Sequence, residues 1–153
     1  EIEKILRRSA KLLKIEVDKE AIGKIAAASR FTPRIANRLL KRVRDYAQVQ
    51  DSSVLTGVFA NKALGLLGID ELGLDETDRK ILTLIHKNFN GGPVGLKSIA
   101  AAIAEEEDTI EDVYEPYLMQ IGFLARTSRG RMLTDLAVKH LGLQKPGPQE
   151  ALI

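Results

Sequence analysis

Gly122-Phe123-Leu124-Ala125-Arg126-Thr127-Ser128-Arg129-Gly130-Arg131-Met132-Leu133 decides how the chain is read. The segment predicts strand, turn, strand, with Gly130 supplying the positive φ that so tight a turn commonly needs. Three helical stretches precede it. Asp75 and Asp78 open the first, whose apolar face is Ile81, Leu82, Ile85 and Phe89, and Asn90-Gly91-Gly92-Pro93 stops it. Leu96, Ile99, Ala100 and Ile103 make a short second helix, followed by a charged turn at Glu105-Glu106-Glu107-Asp108. Thr109 and Asp112 fit a variant capping box for a third containing Val113, Leu118 and Ile121, which Pro116 should kink or divide. A last helix is expected over about 134–141. Helix, helix, helix, β-hairpin is the order of a winged-helix domain.

The preceding part reads as a small all-helical bundle. Ile2, Ile5, Leu6, Ser9, Ala10 and Leu13 recur at three- and four-residue steps, and Asp18 can cap a second helix that buries Ala21, Ile22, Ile25 and Ala26. A third starts at Thr32-Pro33, a hydroxyl cap followed by proline at the first helical position, and runs to about Val49. Its inward residues are Ile35, Ala36, Leu39, Leu40, Val43 and Ala47. A fourth starts at Thr56 with Val58, Phe59, Leu64 and Leu67. Gly65, Gly68 and Gly73 flank Asp70-Glu71, where this part ends. The expected division is a helical domain over 1–72, a winged-helix domain over 73–143, and a Pro/Gly/Gln-rich tail over 144–153.

Composition narrows the chemistry. Of 153 residues 44% are apolar and 29% charged, which is ample for packed cores. No apolar run approaches the roughly 20 residues of a membrane span. Zero cysteines exclude disulfides, thiolate metal sites and cysteine nucleophiles, and two histidines, His86 beside the core and His140 at the surface, do not make a zinc or catalytic cluster. Glu1-Ile2-Glu3-Lys4 does not read as a signal peptide, so a soluble intracellular protein is expected. Residues 1–70 carry 14 Lys and Arg against 8 Asp and Glu, whereas residues 71–153 carry 9 against 13. The contrast points to two domains with different partners, or simply to solvated helix faces.

Two places carry candidate chemistry. In a winged helix the third helix usually enters the DNA major groove, but here it holds Glu111, Asp112 and Glu115 with no Lys or Arg from Thr109 to Ile121. Carboxylates oppose a polyanion, so base reading by that helix is not expected. The hairpin is the reverse, with Arg126, Arg129 and Arg131 suited to gripping phosphates without reading bases. The residues alone leave open the alternative that the charges merely keep an exposed hairpin soluble. The second place is Arg34, in the first turn after Thr32-Pro33. A cation at the positive helix end costs about 0.3–1 kcal/mol unless an anion offsets it, and free N–H groups beside a guanidinium suit a phosphate. Arg38, Lys41 and Arg42 on the same stripe read as a solvated basic face, paired through Asp45.

At this point the motifs meet a family. Thr32-Pro33-Arg34-Ile35-Ala36-Asn37-Arg38-Leu39-Leu40 with Lys41-Arg42-Val43-Arg44-Asp45 resembles the lid domain of the RuvB family of bacterial Holliday-junction branch-migration motors. So do Asp78-Arg79-Lys80-Ile81, Gly91-Gly92-Pro93-Val94-Gly95-Leu96, Glu115-Pro116-Tyr117-Leu118 and the segment from Gly122 to Arg131. The resemblance spans roughly 1–143. It implies an AAA+ lid-type helical bundle followed by a winged helix, cut from a hexameric ATPase that drives double-stranded DNA through RuvA-bound junctions in recombination and repair. It implies ATP and Mg2+ for the full-length parent, RuvC as a further partner, a bacterial cytoplasmic setting and no membrane. It carries the nucleotide sensor onto Arg34 and DNA-backbone contacts onto Arg126 and Arg131, with Arg129 a weaker match.

The chain departs from the family pattern at two positions. Phe31 stands where glycine generally precedes Thr-Pro-Arg; a bulky residue takes positive φ at a cost, which predicts an altered approach to the nucleotide. Ser128 stands where the turn commonly has proline, which predicts a looser wing. The sequence contains no G-x-x-x-x-G-K-[ST] phosphate loop, no acidic strand end for magnesium and no arginine finger, so these residues alone are expected to hydrolyse no ATP. Two other readings stay open: a stand-alone winged-helix regulatory module, and a docking domain whose basic face, with Arg38 and Arg42, meets an acidic subunit.

Overall fold

A computed structural model describes residues 1–145. The expected tail lies, from 146 onward, outside the described residues. The chain forms two compact units, Glu1–Glu76 and Thr77–Ile153. Among the described residues no helix is long and apolar enough to cross a membrane.

The first unit contains α1 (Ile2–Leu12), α2 (Lys19–Ala28), α3 (Pro33–Val49) and α4 (Gly57–Leu66). Leu6, Ile22, Ile25, Leu39, Leu40 and Leu55 are fully buried, each worth about 1.5–3 kcal/mol when removed from water. Asp18 caps α2 through Ala21 N–H at 2.6 Å and also reaches Gly57 N–H at 3.3 Å, so one carboxylate ties together the starts of two helices. Thr56 caps α4 by accepting from Phe59 N–H. The inward face of α4 is built largely on small residues. Ala60, Ala63 and Leu64 are buried while Val58 and Leu67 are exposed, because small residues let α4 approach α2 closely.

The bundle is not wholly helical either. Between helices, β1 (Glu16–Val17) and β2 (Val54–Leu55) pair in parallel, Glu16 with Val54 and Val17 with Leu55. Two-residue strands are too short to show an alternation in sequence.

The turn before α3 is strained. Arg30 and Phe31 both sit at positive φ, 54° and 56°, where a non-glycine residue costs roughly 1–2 kcal/mol. Phe31 therefore takes the left-handed backbone that glycine adopts easily. Its ring is 62% exposed. Gly73 packs beside the turn: it lies against the Ala28 carbonyl so closely that any Cβ would collide.

The second unit has α5 (Glu76–Phe89), α6 (Leu96–Ile103) and a compound third helix, followed by a hairpin of β3 (Leu124–Thr127) and β4 (Gly130–Leu133) and by α9 (Asp135–His140). Ile81, Leu82, Ile85, Ile99, Ile110 and Leu118 form its interior. The third helix is divided, as Pro116 requires: α7 (Glu107–Thr109), a π-helical segment (Ile110–Tyr114) and α8 (Glu115–Gln120). It begins at Glu107 with Glu106 as its cap residue, so the expected Thr109/Asp112 capping box is not formed. The wide turn, with Glu115 N–H bonded to the Ile110 carbonyl, also rotates the register. Val113 is exposed, and Glu115 is buried.

The hairpin aligns Leu124 with Leu133, Ala125 with Met132, Arg126 with Arg131 and Thr127 with Gly130. Val94 adds a bridge to its open edge, exchanging hydrogen bonds with Arg131 at 2.7 and 3.0 Å. Thr127 closes the turn, its hydroxyl donating to the Gly130 carbonyl at 2.8 Å and accepting from Arg129 N–H at 3.2 Å. These bonds brace the turn on either side of Ser128. His140 is less of a surface residue than expected, for its ring packs on Phe123 at 5.2 Å. Gly130 has φ 131°, and a Cβ there would run into the Val94 carbonyl. Gly130→Ala is expected to destabilise the second unit by about 1–3 kcal/mol, read as a lowered thermal midpoint with the first unit unaffected.

Candidate functional site

Two clusters of cations stand out, one in each unit. On the hairpin, Arg126 and Arg131 are directly opposed across the two strands, so both side chains lie on one face. Like charges so placed repel. The divided helix supplies the remedy. Its π turn carries Glu115 inward, and the Glu115 side chain, 2% exposed, accepts from both arginines. Arg131 donates from Nε to Oε1 at 2.5 Å and from Nη2 to Oε2 at 3.2 Å. Arg126 Nη2 donates to Glu115 Oε2 at 2.8 Å and to Glu111 Oε1 at 3.1 Å. Glu115, first through its hydrogen bond and then through its charge, with Glu111 adding to both, raises the Arg126 pKa above its ordinary value.

The three wing arginines are thus unequal. Arg131 is 13% exposed and committed to Glu115. Arg126 is 49% exposed and shared between two carboxylates. Arg129 lies at the exposed turn, and among the described residues no ion pair holds its guanidinium. The helix expected to be hostile to DNA is instead the source of the counter-anions that organise the wing. Sequence reading missed Glu115; an acid followed directly by a helix-dividing proline was the available signal.

In the first unit, Arg34 is exposed in the opening turn of α3. Thr32 provides the cap position by backbone alone. Its hydroxyl donates to the Arg30 carbonyl at 3.2 Å and caps no N–H, contrary to the expected hydroxyl cap. The strained turn before it directs the hydroxyl backward. The first turn contains no acid, and among the described residues Arg34 has no ion-pair partner. Asp45 pairs with its neighbour Arg44 at 3.0 Å, not with Arg38, Lys41 or Arg42. Uncapped N–H groups and an unpaired guanidinium suit an anionic oxygen. No group of three or more His, Cys, Asp or Glu able to hold a metal occurs among the described residues.

Both halves of the chain match described domains. Residues 1–70 match the RuvB AAA lid domain, and residues 71–142 match the RuvB C-terminal winged helix domain. The chain belongs to the RuvB family. A Holliday junction branch migration complex subunit RuvB from Dehalococcoides mccartyi is 59% identical over 143 residues, which covers 93% of this chain and 41% of that protein. The RuvB subunit of the same description from Nostoc punctiforme is 56% identical over 153 residues, covering 100% of this chain and 42% of its own length. The solved Thermotoga maritima RuvB Holliday junction branch migration motor superposes with a TM-score of 0.91 at 49% identity, over 95% of this chain and 49% of that one. The chain therefore spans less than half the length of these RuvB relatives, and its fold is the family's lid bundle and winged helix.

Removing the buried carboxylate should be costly, because it strands Arg131 with little solvent. Glu115→Ala is expected to destabilise the second unit by about 3 kcal/mol in chemical denaturation. The same truncation at exposed Glu111 should cost about 1 kcal/mol or less.

Proposed function

We propose that this chain is the lid and winged-helix portion of an ATP-driven translocase that moves double-stranded DNA through Holliday junctions. The observation that carries the DNA side of this reading is the distribution of charge on the second unit. An exposed turn presents the unpaired Arg129, while the adjoining third helix is acidic and cannot face a groove. Such a surface holds a duplex by its phosphates and is indifferent to sequence. Arg129 makes the principal contact in this reading, Arg126 a partial one, and Arg131 holds the hairpin in place. A site-specific regulatory module would need a third helix that a polyanion can approach, and this one has no Lys or Arg from Thr109 to Ile121 while it carries Glu111, Asp112 and Glu115.

On the nucleotide side, Arg34 and the uncapped start of α3 fit a phosphate, and Arg34 is the sensor in this reading. ATP, when bound, supplies a charge that changes on hydrolysis. Arg34 offers a guanidinium to it, α3 carries that restraint into the bundle, and the chain connection over residues 68–75 links the bundle to the wing. No residue of this chain is assigned to Mg2+, since its described carboxylates form no such cluster. The larger assembly in this reading is a homo-hexamer acting with RuvA, and with RuvC, in the bacterial cytoplasm.

Arg129→Ala in this chain should weaken binding of a mixed-sequence duplex about tenfold and flatten the salt dependence by about one phosphate contact, with the thermal midpoint unchanged. Binding that is confined to one sequence and insensitive to salt would defeat the reading. In a parent protein of the relatives' length, Arg34→Ala should abolish most ATP-driven branch migration while leaving duplex affinity within about twofold, as measured by strand-exchange and anisotropy assays.

A further inference from the structure

The wing carries more positive charge than it offers. Arg126 Nη2 lies between two carboxylate oxygens of opposite character, Glu115 Oε2 at 2.8 Å and Glu111 Oε1 at 3.1 Å. Glu115 is out of solvent and also holds Arg131, so nothing arriving from outside can replace it. Glu111 is 44% exposed and makes a single contact to an arginine that is itself 49% exposed. Surface ion pairs of this kind are weak and exchange readily with other anions.

We propose that Glu111 is a built-in competitor of the DNA phosphate for Arg126, and that it sets the wing's grip on the duplex below what its arginines could provide. The inference rests on the reading of the wing as a phosphate-contacting hairpin. A phosphate that takes Arg126 must displace the Glu111 carboxylate, and the displaced charge then remains beside the polyanion and opposes it. Engagement of Arg126 is therefore partial and reversible, whereas Arg129 engages without competition. A low ceiling on each grip suits a hairpin that must release the backbone at every step.

Asp112 provides the control. It is the next residue, also exposed, and no hydrogen bond or ion pair joins it to Arg126 among the described residues. Glu111→Gln and Asp112→Asn therefore remove the same charge from the same helix, but only the first frees a guanidinium.

The test is duplex binding by the 153-residue chain, followed by anisotropy of a labelled mixed-sequence duplex across a salt series. Glu111→Gln should tighten binding about three- to tenfold at low salt and steepen the log–log salt dependence by about one contact. Asp112→Asn should give a smaller gain with an unchanged slope. In an Arg126→Ala background, or Arg126→Gln if the truncated hairpin does not fold, the gain from Glu111→Gln should vanish. Unaltered binding by Glu111→Gln, an equal gain from Asp112→Asn, or a gain that survives loss of Arg126 would each overturn the proposal. Arg129→Ala separates the two claims. If it weakens binding while Glu111→Gln does nothing, only the competitor role falls; if it changes nothing, or no form of the chain binds duplex, the wing reading falls with it.

Discussion

A single buried carboxylate fixes the geometry of the wing. Glu115 lies against a hairpin that places two guanidiniums opposite one another, and it accepts from both. Burying an anion is costly by itself, several kcal/mol even after relaxation, and attraction repays that only where geometry and hydrogen bonding are complete. Here both carboxylate oxygens are used, and the two arginines approach from adjacent strands. The pairing links the third helix to the hairpin with a directionality that apolar packing lacks. Replacing the ion cluster by leucines of similar volume could preserve packing, but it would also remove the alignment that fixes which arginine faces solvent.

The backbone around Glu115 is arranged to the same end. Pro116 has no N–H to donate to an i−4 carbonyl, so the regular helix cannot run through it, and the chain widens into a π turn. That turn adds a residue between Ile110 and the next inward position. Val113 is displaced outward and Glu115 inward. A defect in one element thus becomes the means by which another is positioned.

Much of this was legible in the amino-acid order. The α3 face of Ala36, Leu39, Leu40, Val43 and Ala47 is buried as its spacing requires, and Asp18, Thr56 and Gly130 play the local roles their chemistry suggests. Local rules suffice to place these residues because helical period, capping and turn φ are set within a few positions along the chain, even where the final partner, as for Asp18 and Gly57, is far away in sequence. Three things were not legible. The buried face of α4 depends on small residues, whose inward placement reflects how near α2 comes and leaves no strong hydrophobic period. The β1–β2 pair is too short to alternate. Above all, the ranking of the hairpin arginines depends on counter-anions 11 to 16 positions away. Sequence spacing locates a charge, but only the tertiary structure decides whether it is already spent.

The same distinction separates Arg34 from its neighbours on α3. Its availability follows from the strained turn before it, where Arg30 and Phe31 adopt left-handed backbone that Gly73 accommodates from behind. That turn directs the Thr32 hydroxyl to the Arg30 carbonyl and leaves the helix start without a side-chain acceptor. Had the hydroxyl capped α3 in the ordinary way, one of the donors that welcome an anion would be occupied. Backbone strain of this size persists only where the surroundings over-determine it. Gly73, packed against the Ala28 carbonyl and the Arg30 side chain, is part of those surroundings. Each unit therefore sets one cation apart from its neighbours: Glu115 holds Arg126 and Arg131, whereas Arg129 in the second unit and Arg34 in the first have no ion-pair partner among the described residues.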